Sequence, residues 1–413
     1  MNTYRVAGID VHKKMLAVVV GSICENGEIH FERGKFGTMA AELRRMRQWL
    51  EETEVREVVM ESTAQYWKPV WLELEPTGFQ LHLAQAHSNK APKGRKQDFA
   101  DAERLVRRLV AGELTLSFVP DPEQRLWRTV THMKHQMTRD KVRLVNQLEA
   151  LLEDCRIKLS SVVSNLRGAS SRRMLDALSD GEKDPVRLAK LADQGLRATE
   201  AQLADALGAT ATLDEARRAL LKIMLGRLDA LDAHIEQLDL ITAKLLSDRN
   251  DVVARLAEVP GLGVDSAQQL IAEVGPEAKT FDSPEKLASW VGVCPGREES
   301  AEVSHSNRSP KGNRAMRRIL CQAANAAVKS KGSVFESVYK RLAARIGHKQ
   351  AIWATAHKLC RIVWKVLHDK ASYKELGNLL NPALARRKLT RLKAQLRNLG
   401  YDVLLTPREP TAS

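Results

Sequence analysis

Cysteine is scarce in this sequence, with five in 413 residues, at positions 24, 155, 294, 321 and 360. No two of them stand at a zinc-ligand spacing, and they suggest no disulfide framework. A zinc finger and a disulfide-stapled secreted scaffold are therefore excluded, and a reducing compartment fits. No apolar run reaches the roughly 20 residues needed to span a bilayer. The opening MNTYRVAGID lacks the apolar stretch of a secretory leader. A soluble, cytoplasmic protein with no membrane partner is the expectation. Strand patterns are missing as well between about residues 122 and 250.

Apolar residues make up 44% of the chain, enough for real cores. The length implies two or three domains. The formal net charge is +14, and its distribution says more than its sum. Residues 301–413 carry 23 Lys and Arg against six Asp and Glu, a net +17, which leaves the rest of the chain at −3. A merely solubilising surface mixes both signs. A cationic region of this size attracts polyanions, and counterion release makes nucleic acid the usual one.

Strand and helix signals alternate through the first 115 or so residues. Tyr4 to Ile9 reads as a buried strand running into Asp10. Met15 to Val20 and Ile29 to Arg33 follow, separated by the turn-prone Glu25-Asn26-Gly27. Ala40 to Leu50 has helical spacing, with Leu43, Met46 and Leu50 on one face. Glu57 to Met60 is a short strand ending at Glu61, Tyr66 to Leu74 is helical, Phe79 to Ala84 is strand-like, and Ala100 to Val110 is a basic amphipathic helix. This order predicts an α/β layer fold. Farther on, Leu126 to Leu151 and Met224 to Leu245 repeat apolar residues every three or four positions. They read as long helices that pair with each other or with another subunit.

The acids carry the chemistry. Asp10 and Glu61 stand at the carboxyl ends of predicted strands, where open α/β sheets place their ligand sites. Asp98 and Asp101 are three apart where a helix begins, so they share a face. Taken singly, each reads as a cap or a surface charge. Converged, four carboxylates repel one another unless a cation neutralises them, and hard oxygen ligands suit Mg²⁺ or Mn²⁺. Two such ions, with Asp10 bridging, are suited to phosphodiester chemistry. Lys93, Arg95 and Lys96 lie beside the pair as candidate phosphate contacts or as an ordinary basic loop.

Three segments, GIDVHKK, VVMESTAQYW and KGRKQDFADAERL, resemble the N-terminal domain of the DEDD transposases of bacterial insertion sequences, the IS one-ten family. Farther along, RGASSRRMLDALSDGEKDP resembles that family's middle segment. EVPGLGVDSAQQLIAEVG, FDSPEKLASWVGVCPGREESAE and SPKGNRAMRRILCQAA resemble its C-terminal domain. The resemblance spans roughly residues 4–330. It implies a RuvC-type, RNase H-like fold for the first domain, with the family's four acids falling on Asp10, Glu61, Asp98 and Asp101. It implies cleavage and rejoining of DNA, a covalent serine nucleophile in the C-terminal domain beside the metal-bound acids, and a structured guide RNA that pairs with donor and target DNA. Dimers or tetramers of the chain are expected from the same likeness.

Pro295-Gly-Arg-Glu-Glu-Ser300-Ala301 fits the family's frame around the nucleophile and makes Ser300 the candidate. The sequence departs from that frame at Glu302 and Val303, and Ser304, Ser306 and Ser309 compete. A serine hydroxyl needs activation to attack. Val259-Pro-Gly-Leu-Gly263 with Ser266-Ala267 looks like a helix-hairpin-helix, in which Gly261 and Gly263 let backbone amides approach a phosphate; a plain tight turn is the alternative. Lys311, Asn313, Arg314, Arg317 and Arg318 suggest a second phosphate-binding patch, while Trp353 and Trp364 read as core, with base stacking as the alternative. The expected fold is α/β plus all-α. It comprises an RNase H-like catalytic domain at 1–118, a helical coiled-coil or dimerisation region at 119–250, a transposase domain with helix-hairpin-helix and serine at 251–370, and a basic helical tail at 371–413. The function expected is that of a nucleoid-associated DNA recombinase. A RuvC-like nuclease without a covalent intermediate and a non-catalytic nucleic-acid-binding protein are the competing readings.

Overall fold

The structure is a computed structural model and describes residues 4–62, 64–86, 97–295, 298–300, 303–306, 309–375, 382–402 and 404. The chain divides into two units, residues 1–121 and 122–413.

The first unit is built on a mixed sheet. Its elements are β1 (Tyr4–Val11), β2 (Met15–Ile23), β3 (Ile29–Gly37), α1 (Ala40–Glu52), β4 (Glu57–Glu61), α2 (Trp67–Leu74), β5 (Gln80–Ala84), α3 (Asp98–Val110) and β6 (Leu116–Ser117). The strand order is β3-β2-β1-β4-β5-β6. The first three strands form an antiparallel meander, and β4 and β5 run parallel to β1. Helices cover both faces of the sheet, which is why β1, β2 and β4 read as nearly unbroken apolar runs. Ala7, Ile9 and Val11 of β1 pack with Leu43, Met46 and Leu50 of α1 and with Val70, Trp71 and Leu74 of α2. Their alternating neighbours face α3, where Val59 and Ala84 meet Leu105.

Gly8 sets how close α3 comes. A Cβ built on it would lie 2.3 Å from the carbonyl oxygen of Ala102 and 2.9 Å from Val106 Cγ2. Only glycine lets the helix backbone rest on β1 here. Arg33 donates to Glu103 (2.6 Å) and Arg107 stacks over Phe31, so β3 holds α3 from the side.

The second unit is helical. It contains α4 (Pro122–Asp154), α5 (Leu159–Val162), α6 (Ala169–Ser179), α7 (Pro185–Ala189), α8 (Glu200–Ala206) and α9 (Glu215–Leu245). It continues with α10 (Asn250–Ala257), α11 (Val264–Val274), α12 (Pro284–Val291), the hairpin β7 (Glu298–Ser300) and β8 (Val303–Ser306), then α13 (Arg314–Ala327), α14 (Val334–Ile346), α15 (His348–His368) and α16 (Pro382–Asn398). The two long helices α4 and α9 lie side by side and antiparallel. Lys134 pairs with Asp239 and Lys141 with Asp232, so a step of seven residues up one helix matches a step of seven down the other. At the end of α4, Leu144, Leu148 and Leu152 pack with Leu221, Leu225 and Leu228 of α9 and with Met174 and Leu175 of α6. A separate core joins α10 to α15 through Leu256, Leu270, Leu287, Leu320, Phe335 and Leu359. Trp364 lies in that core and donates Nε1 to the carbonyl of Phe281 at 2.7 Å. Among the described residues, no helix is long and apolar enough to cross a membrane.

Candidate active site

Asp10 sits one residue before the end of β1, and Glu61 is the last residue of β4. The parallel register pairs Gly8 with Val59 and Ile9 with Met60, so Asp10 and Glu61 follow each other in step on neighbouring strands. By alternation both belong to the Gly8 face, the one under α3. The helix begins at Asp98 and carries Asp101 in its first turn. The close rest of Ala102 on Gly8 therefore brings the start of α3 over the exit of β1.

The resulting cluster is asymmetric. His12 Nε2 lies 3.1 Å from Asp10 Oδ2 and 3.3 Å from Asp98 Oδ1, bridging the two carboxylates. Asp101 Oδ1 accepts from Arg104 Nη1 at 2.7 Å, one turn along the same helix. Asp10 has a side chain only 16% exposed. Burial pushes its carboxyl above the ordinary range; the nearby charge and hydrogen bond of His12 act against that rise, and the charges of Asp101 and Asp98 add to it. A half-buried carboxylate repelled by two others is the electrostatic setting that a cation relieves.

Asp10, His12 and Asp98 each bring a ligand atom within 4.8 Å of the others, so the donor set fits a divalent ion. The carboxylates suit Mg²⁺ or Mn²⁺, and an imidazole is compatible with the softer of these. Sequence reasoning passed over His12. Its signal was the Asp-x-His spacing where β1 ends, since residues two apart along an extended chain point to the same side. Lys93, Arg95 and Lys96 lie outside the described residues.

In the second unit, Ser300 ends β7 and pairs with Val303 of β8, and Ser304 and Ser306 belong to β8. The hairpin is held at both feet. After it, Ser309 Oγ accepts from Trp353 Nε1 at 2.7 Å, so this hydroxyl is engaged in the fold. The amide of Asn313 donates to the Trp290 carbonyl at 3.1 Å. Arg317 donates to the carbonyls of Gly292 and Pro310 and stacks on Trp353 at 4.5 Å. Its guanidinium is thus spent on the two chain segments flanking the hairpin, a duty that the basic cluster in the sequence does not reveal. Asn313 caps α13 by accepting from the Met316 amide, and its side chain donates to Glu273 at 2.9 Å. Lys311 and Arg314 are exposed.

Glu273 is 3% exposed. Burial alone would raise its pKa, but the hydrogen bond from His132 (2.5 Å), the charges of Arg128 and His132 and the bond from Asn313 outweigh it and hold the carboxyl below its ordinary value. This acid joins α4, α11 and the start of α13.

Gly261 and Gly263 lie in the turn between α10 and α11. Gly261 has φ +88°, and a Cβ there would fall 2.2 Å from the Ala323 carbonyl oxygen. The glycine serves the close passage of α13. The amide of Gly263 is taken by Ser266 Oγ at 2.8 Å.

Two family models match parts of the chain. A family model for the IS116/IS110/IS902 transposases matches residues 253–340, and the DEDD transposase model of IS110 elements matches residues 7–157. The chain belongs to the IS110 family of DEDD transposases. Among its relatives is "Putative transposase y4rJ" of Sinorhizobium fredii, 25% identical over 316 residues, covering 71% of this chain and 73% of that one. Another is the "Insertion element IS110 uncharacterized 43.6 kDa protein" of Streptomyces coelicolor, 27% identical over 212 residues, covering 50% of this chain and 49% of its own length. A solved RuvC from Thermus thermophilus aligns over 27% of this chain and 99% of its own, with 15% identity and a TM-score of 0.23.

Proposed function

We propose that this IS110-family chain is a DNA recombinase that cuts and rejoins the ends of an insertion sequence, with a metal-dependent acid site in its first unit and Ser300 as the nucleophile. The observation that carries the reading is the gathering of Asp98 and His12 around a half-buried Asp10, whose ionisation burial and the neighbouring aspartates oppose and His12 favours. A divalent cation, Mg²⁺ or Mn²⁺, held by Asp10, Glu61, Asp98 and Asp101 would supply charge neutralisation at a phosphodiester. His12 keeps the Asp10 and Asp98 carboxylates together, and Arg104 fixes the direction of Asp101.

For Ser300 the proposed step is transesterification. Its oxygen bonds to the phosphorus of a DNA phosphodiester as the bond from phosphorus to one deoxyribose oxygen breaks. The serine proton passes to that leaving oxygen, giving a phosphoserine diester and a free DNA hydroxyl. Attack of a DNA hydroxyl on the phosphoserine restores both the diester and the serine. No high-energy cofactor is consumed, because one phosphodiester replaces another. Structured RNA from the element's ends is the proposed source of sequence choice, and assembly of the chain into dimers or tetramers belongs to the same proposal.

The test is incubation of the chain with Mg²⁺, element-end DNA and the RNA encoded beside the gene, followed by denaturation. A covalent protein–DNA adduct that disappears in Ser300→Ala supports the recombinase. Strand cleavage without an adduct, unaffected by Ser300→Ala, replaces it with a RuvC-like nuclease.

A further inference from the structure

Within the second unit, α4, the α10–α11 turn and α13 enclose a groove of about 680 Å³. Its lining includes Lys134, His135, Arg139, Arg143, Gln269 and Arg318. Two of these cations already have counter-charges. Lys134 is held by Asp239 and Asp265, and Arg143 by Asp140 at 2.5 Å.

The other two are different. Arg318 is half-buried, and its guanidinium donates to the amide oxygens of Gln269 (2.6 Å) and Gln322 (3.3 Å), which are uncharged. Its Nε is buried without a hydrogen-bond partner. Arg139 is exposed, and no carboxylate pairs with it among the described residues. His135 feels both. Burial first, then the charges of Arg318, Arg139 and His132, push its pKa down. Burial likewise lowers that of Arg318, against the opposing pull of Asp265 and Glu273.

Asp265 also lines the groove but is bonded to Lys134, so two guanidinium groups border one cavity with no salt bridge to either among the described residues, and an anion entering the cavity can answer their charge. The glutamines hold the Arg318 fork in place while leaving its charge unspent. A planar fork of this kind suits paired phosphate oxygens. Along α4, His135, Arg139 and Arg143 recur every four residues, so they share a face and rise about 6 Å per step. A row of this form fits a chain of anions better than a single ion.

We infer that the groove between α4 and α13 is a binding site for the phosphodiester backbone of a nucleic acid, with Arg139 and Arg318 as its anion contacts. The inference rests on the DNA-recombinase reading above and adds to it a place where a strand is held.

The test uses the full chain, a labelled DNA duplex and a labelled single-stranded RNA of equal length, each titrated across a salt series. Arg139→Gln and Arg318→Gln are each expected to weaken binding of at least one probe several-fold. Each should also make the slope of log affinity against log salt shallower by about one. Loss on DNA alone assigns the groove to DNA, loss on RNA alone to RNA, and loss on both to either backbone; each outcome supports the site. Unchanged affinity and slope for both probes, with wild type binding normally, overturns the groove and leaves the recombinase reading intact. A wild-type chain that binds neither probe would overturn that reading itself. Arg139 is exposed, so Arg139→Gln and Arg139→Glu keep the test valid even where Arg318→Gln unfolds.

Discussion

The carbonyl oxygen of Ala102 occupies the place that a side chain on Gly8 would need, with a built Cβ falling 2.3 Å from it. This contact lets α3 rest on β1 and sets Asp98 and Asp101 over the end of the strand that carries Asp10.

Gly8→Ala is therefore expected to push α3 outward. Overpacking of this kind costs about 1–3 kcal/mol, and the displacement separates Asp98 from Asp10 and His12. Denaturant unfolding should show the loss of stability, and any Mg²⁺-dependent strand transfer should fall with it. Wild-type stability and transfer in Gly8→Ala would mean that the close rest of the helix does not govern the acid cluster.

Asp10→Asn keeps the shape and the acceptor oxygen toward His12 but removes the charge that burial and the neighbouring aspartates oppose. Without added metal, the variant should melt at the wild-type temperature or above it. With Mg²⁺ or Mn²⁺ at about a hundred times its Kd, wild type should gain about 2.7 kcal/mol and lose that gain on chelation. The variant should gain little. An equal metal-induced rise in both proteins would remove Asp10 from the ion site.

Glu273 predicts a pH dependence. Its folded pKa lies below its ordinary value, so the stabilisation it contributes is complete at neutral pH. That contribution begins to fall near the unfolded value of about 4.3 and is lost as pH drops toward the depressed folded value. Glu273→Gln should cost about 3 kcal/mol at pH 7, measured by denaturant midpoint. The gap to wild type should narrow below about pH 4. A gap of the same size at both pH values would show that the charge on Glu273 is not what holds α11 to α4 and Asn313.

The two glycines of the α10–α11 turn should separate. Gly261→Ala forces a positive φ on alanine and drives its Cβ into the Ala323 carbonyl, so it is expected to lose about 2 kcal/mol or more. Gly263 has no atom within 4 Å of a built Cβ and an extended φ of −117°, so Gly263→Ala should be nearly silent in thermal unfolding. Equal costs at the two positions would contradict this division.

Much of the first unit was legible in advance because its patterns are local. The apolar run of β1 and the spacing of Leu43, Met46 and Leu50 depend on near neighbours alone, and so do the ends of the strands where Asp10 and Glu61 stand. The same holds for α4 and α9, whose periodicity announced long helices but left their partner open. The ion pairs Lys134–Asp239 and Lys141–Asp232 and the leucines packed between the helices show that the two lie antiparallel within one chain.

The sequence by itself determined the order of elements, the concentration of positive charge after residue 300 and the family likeness, because each is written in adjacent residues or in composition. Tertiary structure alone decided that His12 lies between Asp10 and Asp98, that Arg317 turns to the carbonyls of Gly292 and Pro310, and that Gly261 yields to α13. The last two of these pairings link separate elements, and the first depends on α3 resting over the end of β1. Such partners are chosen by how closely the backbones pack, and no local pattern of residues records that distance.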